Sequence, residues 1–148
     1  MIIRKANIND AETIAENNVK LAYESEGLKI SYETTLEGVK SVLSDPTKGF
    51  YLVAEKDNEI IGELMITFEW SDWRSKNMWW IQSVYVKESW RRKNVFKILV
   101  EKTKKIAIEN DVSIIKLYVH SENKKAITAY NRVGMKKTPY EVYELFLK

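Results

Sequence analysis

Residues 83–99 read SVYVKESWRRKNVFKIL, and this stretch decides the fold. The run MWWIQSVYVK (78–87), rich in aromatic and β-branched residues, reads as a strand. A short basic turn with Arg91, Arg92 and Lys93 follows it. Val95, Ile98, Leu99, Ile106 and Ala107 then recur at helical spacing, which predicts a helix over 95–110. The first turn of such a helix carries unpaired backbone N–H groups and the positive end of the helix dipole. With three cationic side chains alongside, that is a binding site for an anion such as a pyrophosphate. The plain alternative is a capped helix beside a solvated basic turn.

Upstream, Met1 to Arg4 reads as a short strand. Asn9 and Glu12 have the spacing of a capping box, and Ile14, Ala15, Asn18, Leu21 and Ala22 predict a helix over 10–25. Thr34 and Glu37 repeat the capping pattern before a second helix, which ends ahead of Ser44-Asp45-Pro46. FYLVAE (50–55) and 59–70 form a hairpin across Asp57-Asn58, and 70–77 is a polar loop. Downstream, 112–119 reads as a strand, 123–133 as a helix closed by Gly134, and 135–147 as one or two final strands. The order β-α-α-β-β-β-α-β-α-β(-β) implies one α/β domain over 1–148, a mixed central sheet with helices on both faces.

Composition excludes several chemistries. With no cysteine there is no disulfide, thiolate nucleophile or thiolate metal site, and the single histidine, His120, argues against a histidine-built metal centre. No apolar run approaches the ~20 residues that span a bilayer, and the N-terminus turns polar too early for a signal peptide. The expectation is a soluble cytoplasmic protein with no metal and no membrane partner. Charge is divided unevenly: residues 1–86 hold 9 Lys/Arg against 14 Asp/Glu, and residues 87–148 hold 15 against 7. The second half suits an anion and the first half a cation.

The stretch 91–96 resembles motif A of the GNAT acetyltransferases, Arg/Gln-x-x-Gly-x-Gly/Ala between a strand and a helix. Arg91 takes the first position, while Asn94 and Phe96 stand where the family has small residues. Of the non-glycine residues, asparagine tolerates positive φ best, so a turn at Asn94 keeps its geometry. HSENKKAITAYNRVGM (120–135) is similar to the family's second signature, through Asn123, Ala126, Tyr130 and Gly134-Met135. Ile60-Ile61-Gly62 is similar to its third strand.

The resemblance implies transfer of an acetyl group from acetyl-CoA directly to a primary amine through a tetrahedral intermediate. Backbone groups of Val84, Tyr85 and Val86 would pair with the pantetheine arm. Backbone N–H groups of Arg91, Arg92, Lys93, Asn94, Val95, Phe96 and Lys97 would hold the pyrophosphate. Asn123 would hydrogen-bond the pantetheine. Tyr130 would lie near the sulfur and protonate the departing thiolate; its alternative is a core aromatic. Homodimerisation comes with the resemblance as a further expectation.

The general base is open. Gln82 stands where many relatives carry a glutamate and takes up no proton at neutral pH. Glu69 is the first substitute, with Glu63 and Asp72 behind it, and a water chain is an equal alternative. Glu63 and Glu69 share a strand face by their even spacing, whereas Trp79 and Trp80 face opposite sides. His120 reads as a polar strand-end residue. Two other classes compete: a GNAT-like domain that binds acyl-CoA silently, and a nucleic-acid module built on Arg91-Arg92-Lys93, Lys124-Lys125 and Lys136-Lys137. The expectation is no nucleic acid.

Overall fold

The computed structural model describes all residues from 1 to 148, in two compact units, Met1–Tyr118 and Val119–Lys148. The sequence reads as one domain over the same span.

The first unit is a five-stranded sheet in sequence order: β1 (Ile2–Lys5), β2 (Phe50–Lys56), β3 (Glu59–Ser71), β4 (Lys76–Val86) and β5 (Ile115–Lys116). Three pairings are antiparallel and β4–β5 is parallel, so the sheet is mixed as expected. The β2–β3 hairpin turns on Asp57 and Asn58, both at positive φ (52° and 62°), between the paired Lys56 and Glu59. Two left-handed residues match the twist of the flanking strands.

Helices α1 (Ala11–Glu26) and α2 (Tyr32–Ser44) cover one face, where Ala11, Ile14, Ala15 and Val39 bury Tyr51 and Val53. Leu52, Ala54, Leu64 and Ile66 alternate to the other face. There α3 (Val95–Glu109) packs through Val95, Leu99, Val100 and Ala107. Trp79 is buried and Trp80 half-buried, one on each side of β4.

A 3-10 turn (Ile8–Asp10) precedes α1, and α2 begins at Tyr32, both ahead of the capping signals. The first box is formed by Asn7 and Asp10: the Asn7 side chain accepts from Asn9 N–H, and Asp10 accepts from Asn7 N–H. Arg4 explains the choice. Its guanidinium donates to both carboxylate oxygens of Asp10 (2.8 and 3.0 Å), ties the helix start to β1 and holds the Asp10 carboxyl below its usual range. In α2, Ser31 accepts from Thr34 N–H and is the cap, so the helix starts before Thr34.

Two strand expectations need correction. The strand at 112–119 shrinks to Ile115–Lys116, paired with Trp79 and Trp80. The strands expected over 135–147 are absent from the chain's own sheet. A strand requires a backbone partner, and this segment has none. The second unit contains α4 (Lys124–Arg132), whose cap Asn123 accepts from Ala126 N–H, and Gly134 follows it at φ 91°.

Gly62 on β3 lets α3 approach. A Cβ there would lie 2.7 Å from Val95 Cγ1 and 3.5 Å from Leu99 Cδ1. Gly62→Ala is expected to destabilise the protein by roughly 1–3 kcal/mol through overpacking. Adding Val95→Ala should recover part of that loss. Denaturant midpoints measure both; an unchanged midpoint for Gly62→Ala would contradict the close approach.

Candidate active site

The site begins where β4 loses its second neighbour. Its pairing with β5 covers only Trp79 and Trp80, so residues 81–86 have β3 on one side and no strand on the other. The parting has a local cause. Between the pairs Met65–Gln82 and Glu63–Tyr85, β3 advances two residues and β4 three. The extra residue is a β-bulge, with Ser83 at φ 50°. A bulge bends its strand and raises the local twist, leaving Val84, Tyr85 and Val86 on an open edge that an extended group can join as a strand. Ser83 carries no glycine-like signal and escapes a reading of the sequence.

After β4 the chain makes a tight 3-10 turn over Glu88–Trp90, with Trp90 N–H donating to Lys87 C=O at 2.8 Å. Arg92 (φ 62°) and Asn94 (φ 64°) are both left-handed, the latter as the sequence suggests. Asn94 makes no side-chain cap to α3; its carbonyl accepts from Ile98 N–H at 3.0 Å. The first turn of α3 has no acidic residue, and Arg92, Lys93 and Lys97 are exposed beside it. Backbone of this kind at an uncapped helix N-terminus attracts anions. Phe96 is half-buried.

Arg91 has a positioning role that the sequence does not reveal. Its Nε donates to Val86 C=O (2.8 Å), its Nη2 to Glu24 of α1 (2.9 Å), and its guanidinium lies 5.5 Å from the Tyr85 ring centre. It buckles the end of β4 to α1. A groove of about 610 Å³ lies there, lined by Lys20, Tyr23, Glu24, Tyr85, Lys87 and Glu88 among others. A cavity of about 360 Å³ beside Phe50, Phe68 and Trp79 lies near Ile106 and Asn110, at the far end of α3 from the turn.

The carboxylates separate sharply. Glu63 is fully buried: Asn17 Nδ2 donates to Oε1 at 2.8 Å, and Oε2 has no partner. Burial pushes its carboxyl up to about 8, with the Asn17 hydrogen bond opposing. Glu63 is thus a neutral acid at pH 7. Glu69 lies on the same face of β3, as the even spacing requires, yet is partly open. Trp80 Nε1 donates to it at 2.7 Å and the Lys116 ammonium lies 3.5 Å away and 5.2 Å from the Trp80 ring centre. Gln82 donates to Thr67 Oγ1 at 2.7 Å.

In the second unit, Asn123 Oδ1 is engaged as the cap of α4. Tyr130 is half-buried, and burial raises its phenol above the ordinary value, so it carries its proton at neutral pH. His120 is an exposed turn residue whose Nδ1 accepts from Glu122 N–H.

A sheet strand that opens at a bulge and runs into an uncapped basic helix start is backbone arranged to receive an extended group and an anion. The family model "Acetyltransferase (GNAT) family" matches residues 14–135. The chain belongs to the GNAT acetyltransferase family and is an acetyltransferase. It is 39% identical to a possible acetyltransferase from Clostridium difficile 630, with a TM-score of 0.93 over 99% of this chain and 97% of that one. It shares its fold with a predicted acetyltransferase with acetyl-CoA from Clostridium acetobutylicum, at 18% identity and a TM-score of 0.79 over 99% of this chain and 96% of that one. It is also 25% identical, over 75 residues, to the thialysine N-epsilon-acetyltransferase of Bos taurus; that match spans 51% of this chain and 44% of the relative. No helix is long and apolar enough to cross a membrane.

Glu63 makes stability depend on pH. Its folded pKa lies above the unfolded value, near 4.5, so the folded state binds the extra proton. The Glu63 contribution is best below pH ~4.5 and is lost as pH rises through about 8, at about 1.4 kcal/mol per pKa unit. Glu63→Gln should therefore gain stability relative to wild type as pH rises from 5 to 9, by a few kcal/mol, in parallel denaturation curves. A constant difference across that range would contradict a neutral Glu63.

Proposed function

We propose that residues 1–148 act as one cytoplasmic N-acetyltransferase that takes the acetyl group of acetyl-CoA and delivers it to a primary amine. The observation that carries the reading is the open β4 edge at Val84–Val86 running into the left-handed turn at Arg92 and Asn94. The residues fit this donor: an extended amide-bearing arm pairs as a strand, and a pyrophosphate meets unpaired N–H groups and three cations. The donor supplies an activated acetyl thioester.

The chain's own groups do the rest. Those backbone groups of Val84, Tyr85 and Val86 that face away from β3 hold the arm, and one N–H among them steadies charge developing on the carbonyl oxygen. The backbone of Arg92 to Lys97 holds the phosphates, whereas the Arg91 N–H, expected from the sequence to join them, donates to Glu88 C=O instead. Asn123 supplies an amide to the arm. Tyr130 keeps its proton at neutral pH and donates it to the leaving sulfur.

Glu69 is the carboxylate assigned to the incoming ammonium: as general base it takes, directly or through water, the proton that the amine must lose to attack the carbonyl carbon. It already holds an ammonium, that of Lys116, against the Trp80 ring, an arrangement that suits a cationic acceptor. Glu63, neutral and enclosed, does not suit that role. The amine-acetylating activity in the name of the Bos taurus relative supports the same acceptor class.

Tyr130→Phe keeps the ring and loses the proton. Turnover should fall by roughly 10²-fold or more, with CoA affinity little changed because the interaction acts as the thiolate departs. Thiol release from acetyl-CoA across a panel of primary amines measures it. Near-normal turnover in the folded variant, with chemistry rate-limiting, would remove Tyr130 from the mechanism.

A further inference from the structure

Helix α3 ends at Glu109, with Asn110 as its C-cap, and leaves the sheet face beyond it uncovered. On that face Phe50, Phe68 and Trp79 meet ring to ring. Phe50 meets Trp79 edge-on at 5.4 Å between centres, and Phe68 lies 6.2 Å from Phe50 and 6.0 Å from Trp79. Trp79 is buried, whereas Phe50 is half-buried and Phe68 exposed, so the rings form an apolar wall that a guest can still reach. The cavity they line, of about 360 Å³, falls within the ~300–1,000 Å³ of small-molecule sites.

Polar groups at its rim are unengaged. Lys5 forms no ion pair, and its ammonium lies 4.6 Å from the Phe50 ring centre. The side-chain amide of Asn77 has no partner. Asp45, next to the lining residue Pro46, is already held by Thr47 and Lys48. The end of α3 presents no free carbonyl at Ile106 or Ala107, because both accept from Asn110 N–H and Ala107 also from Val112 N–H. An unpaired ammonium repels a cationic guest and attracts an anionic one. The Asn77 amide can donate to a second oxygen of that anion, and three rings favour a flat apolar body.

We infer that this cavity binds a small aromatic carboxylate, with Lys5 and Asn77 on the carboxylate and Phe50, Phe68 and Trp79 against the ring. The site is separate from the donor edge and does not rest on the function proposed above. Asn77 and Trp79 stand at the start of β4, ahead of the bulge at Ser83, and Val84–Val86 stand after it. They are also the residues that hold the chain entering β5. Asn77 C=O accepts from Ser113 N–H at 3.0 Å, and Trp79 N–H donates to Ile114 C=O at 2.9 Å. An occupant therefore braces the root of the β4–β5 pairing.

Titration calorimetry of the full chain with 2-naphthoate tests this. One molecule should bind per chain, and 2-naphthamide, the same body without the charge, should bind more weakly by roughly tenfold or more. Lys5→Met keeps the stem and loses the charge, so it should weaken 2-naphthoate by a similar factor, whereas Lys5→Arg should keep its affinity. Phe68→Ala should weaken acid and amide alike. Bound 2-naphthoate should slow amide exchange at Trp79 and Ser113, and saturating CoA should leave its affinity unchanged. No binding by wild type, equal binding of acid and amide, or undiminished binding by folded Lys5→Met overturns the proposal. Unchanged exchange at Trp79 and Ser113 puts the probe elsewhere and overturns it too, and competition with CoA overturns a separate site. Should Phe68→Ala fail to fold, the two Lys5 variants and the exchange pattern decide.

Discussion

Everything at the site depends on β4 being bonded firmly on one side and left open on the other. The β3 ladder holds it from Lys76 to Val86, whereas β5 leaves after two residues. The bulge at Ser83 sits between those regimes. A left-handed serine is a strained choice that costs of order 1–3 kcal/mol, and the long β3–β4 ladder supplies the stability that maintains it. The strain opens an edge of free backbone groups within a rigid sheet. Gly62 then allows α3 to seat Val95 against β3, which fixes the start of the helix and the basic turn before it.

The electrostatics follow from burial rather than from residue type. Glu63 and Glu69 are the same residue on the same face of one strand. Glu63 is sealed beneath α1 with one hydrogen bond, and desolvation keeps it neutral. Glu69 lies beyond the helices, keeps contact with water and holds a cation. This contrast assigns them different work, the first within the packing of α1 on the sheet and the second at its open end. The exposed Arg91–Glu24 pair contributes little to stability but fixes where β4 ends relative to α1.

Much of the frame was legible because local chemistry and tertiary structure agree there. Asp57-Asn58 can adopt the two left-handed conformations of a tight hairpin, Asn94 can adopt one, and Trp79 and Trp80 must oppose each other on a strand. What escaped depends on partners distant in sequence. The capping spacing of Asn9 and Glu12 is real, but Arg4 across the strand selects Asp10. The burial of Glu63 comes from Asn17, 46 residues away. The bulge at Ser83 is a matter of register between strands, which composition does not encode. The one or two strands expected over 135–147 do not form, because propensity names a conformation and not the backbone that completes it.

Amide hydrogen exchange with and without CoA tests the central claim most directly. Binding at the open edge and the left-handed turn predicts slowed exchange at Val84, Tyr85 and Val86 and from Arg92 to Lys97, with β1 and β2 unchanged. Saturating CoA that slows exchange elsewhere and leaves these amides as they were would contradict the account.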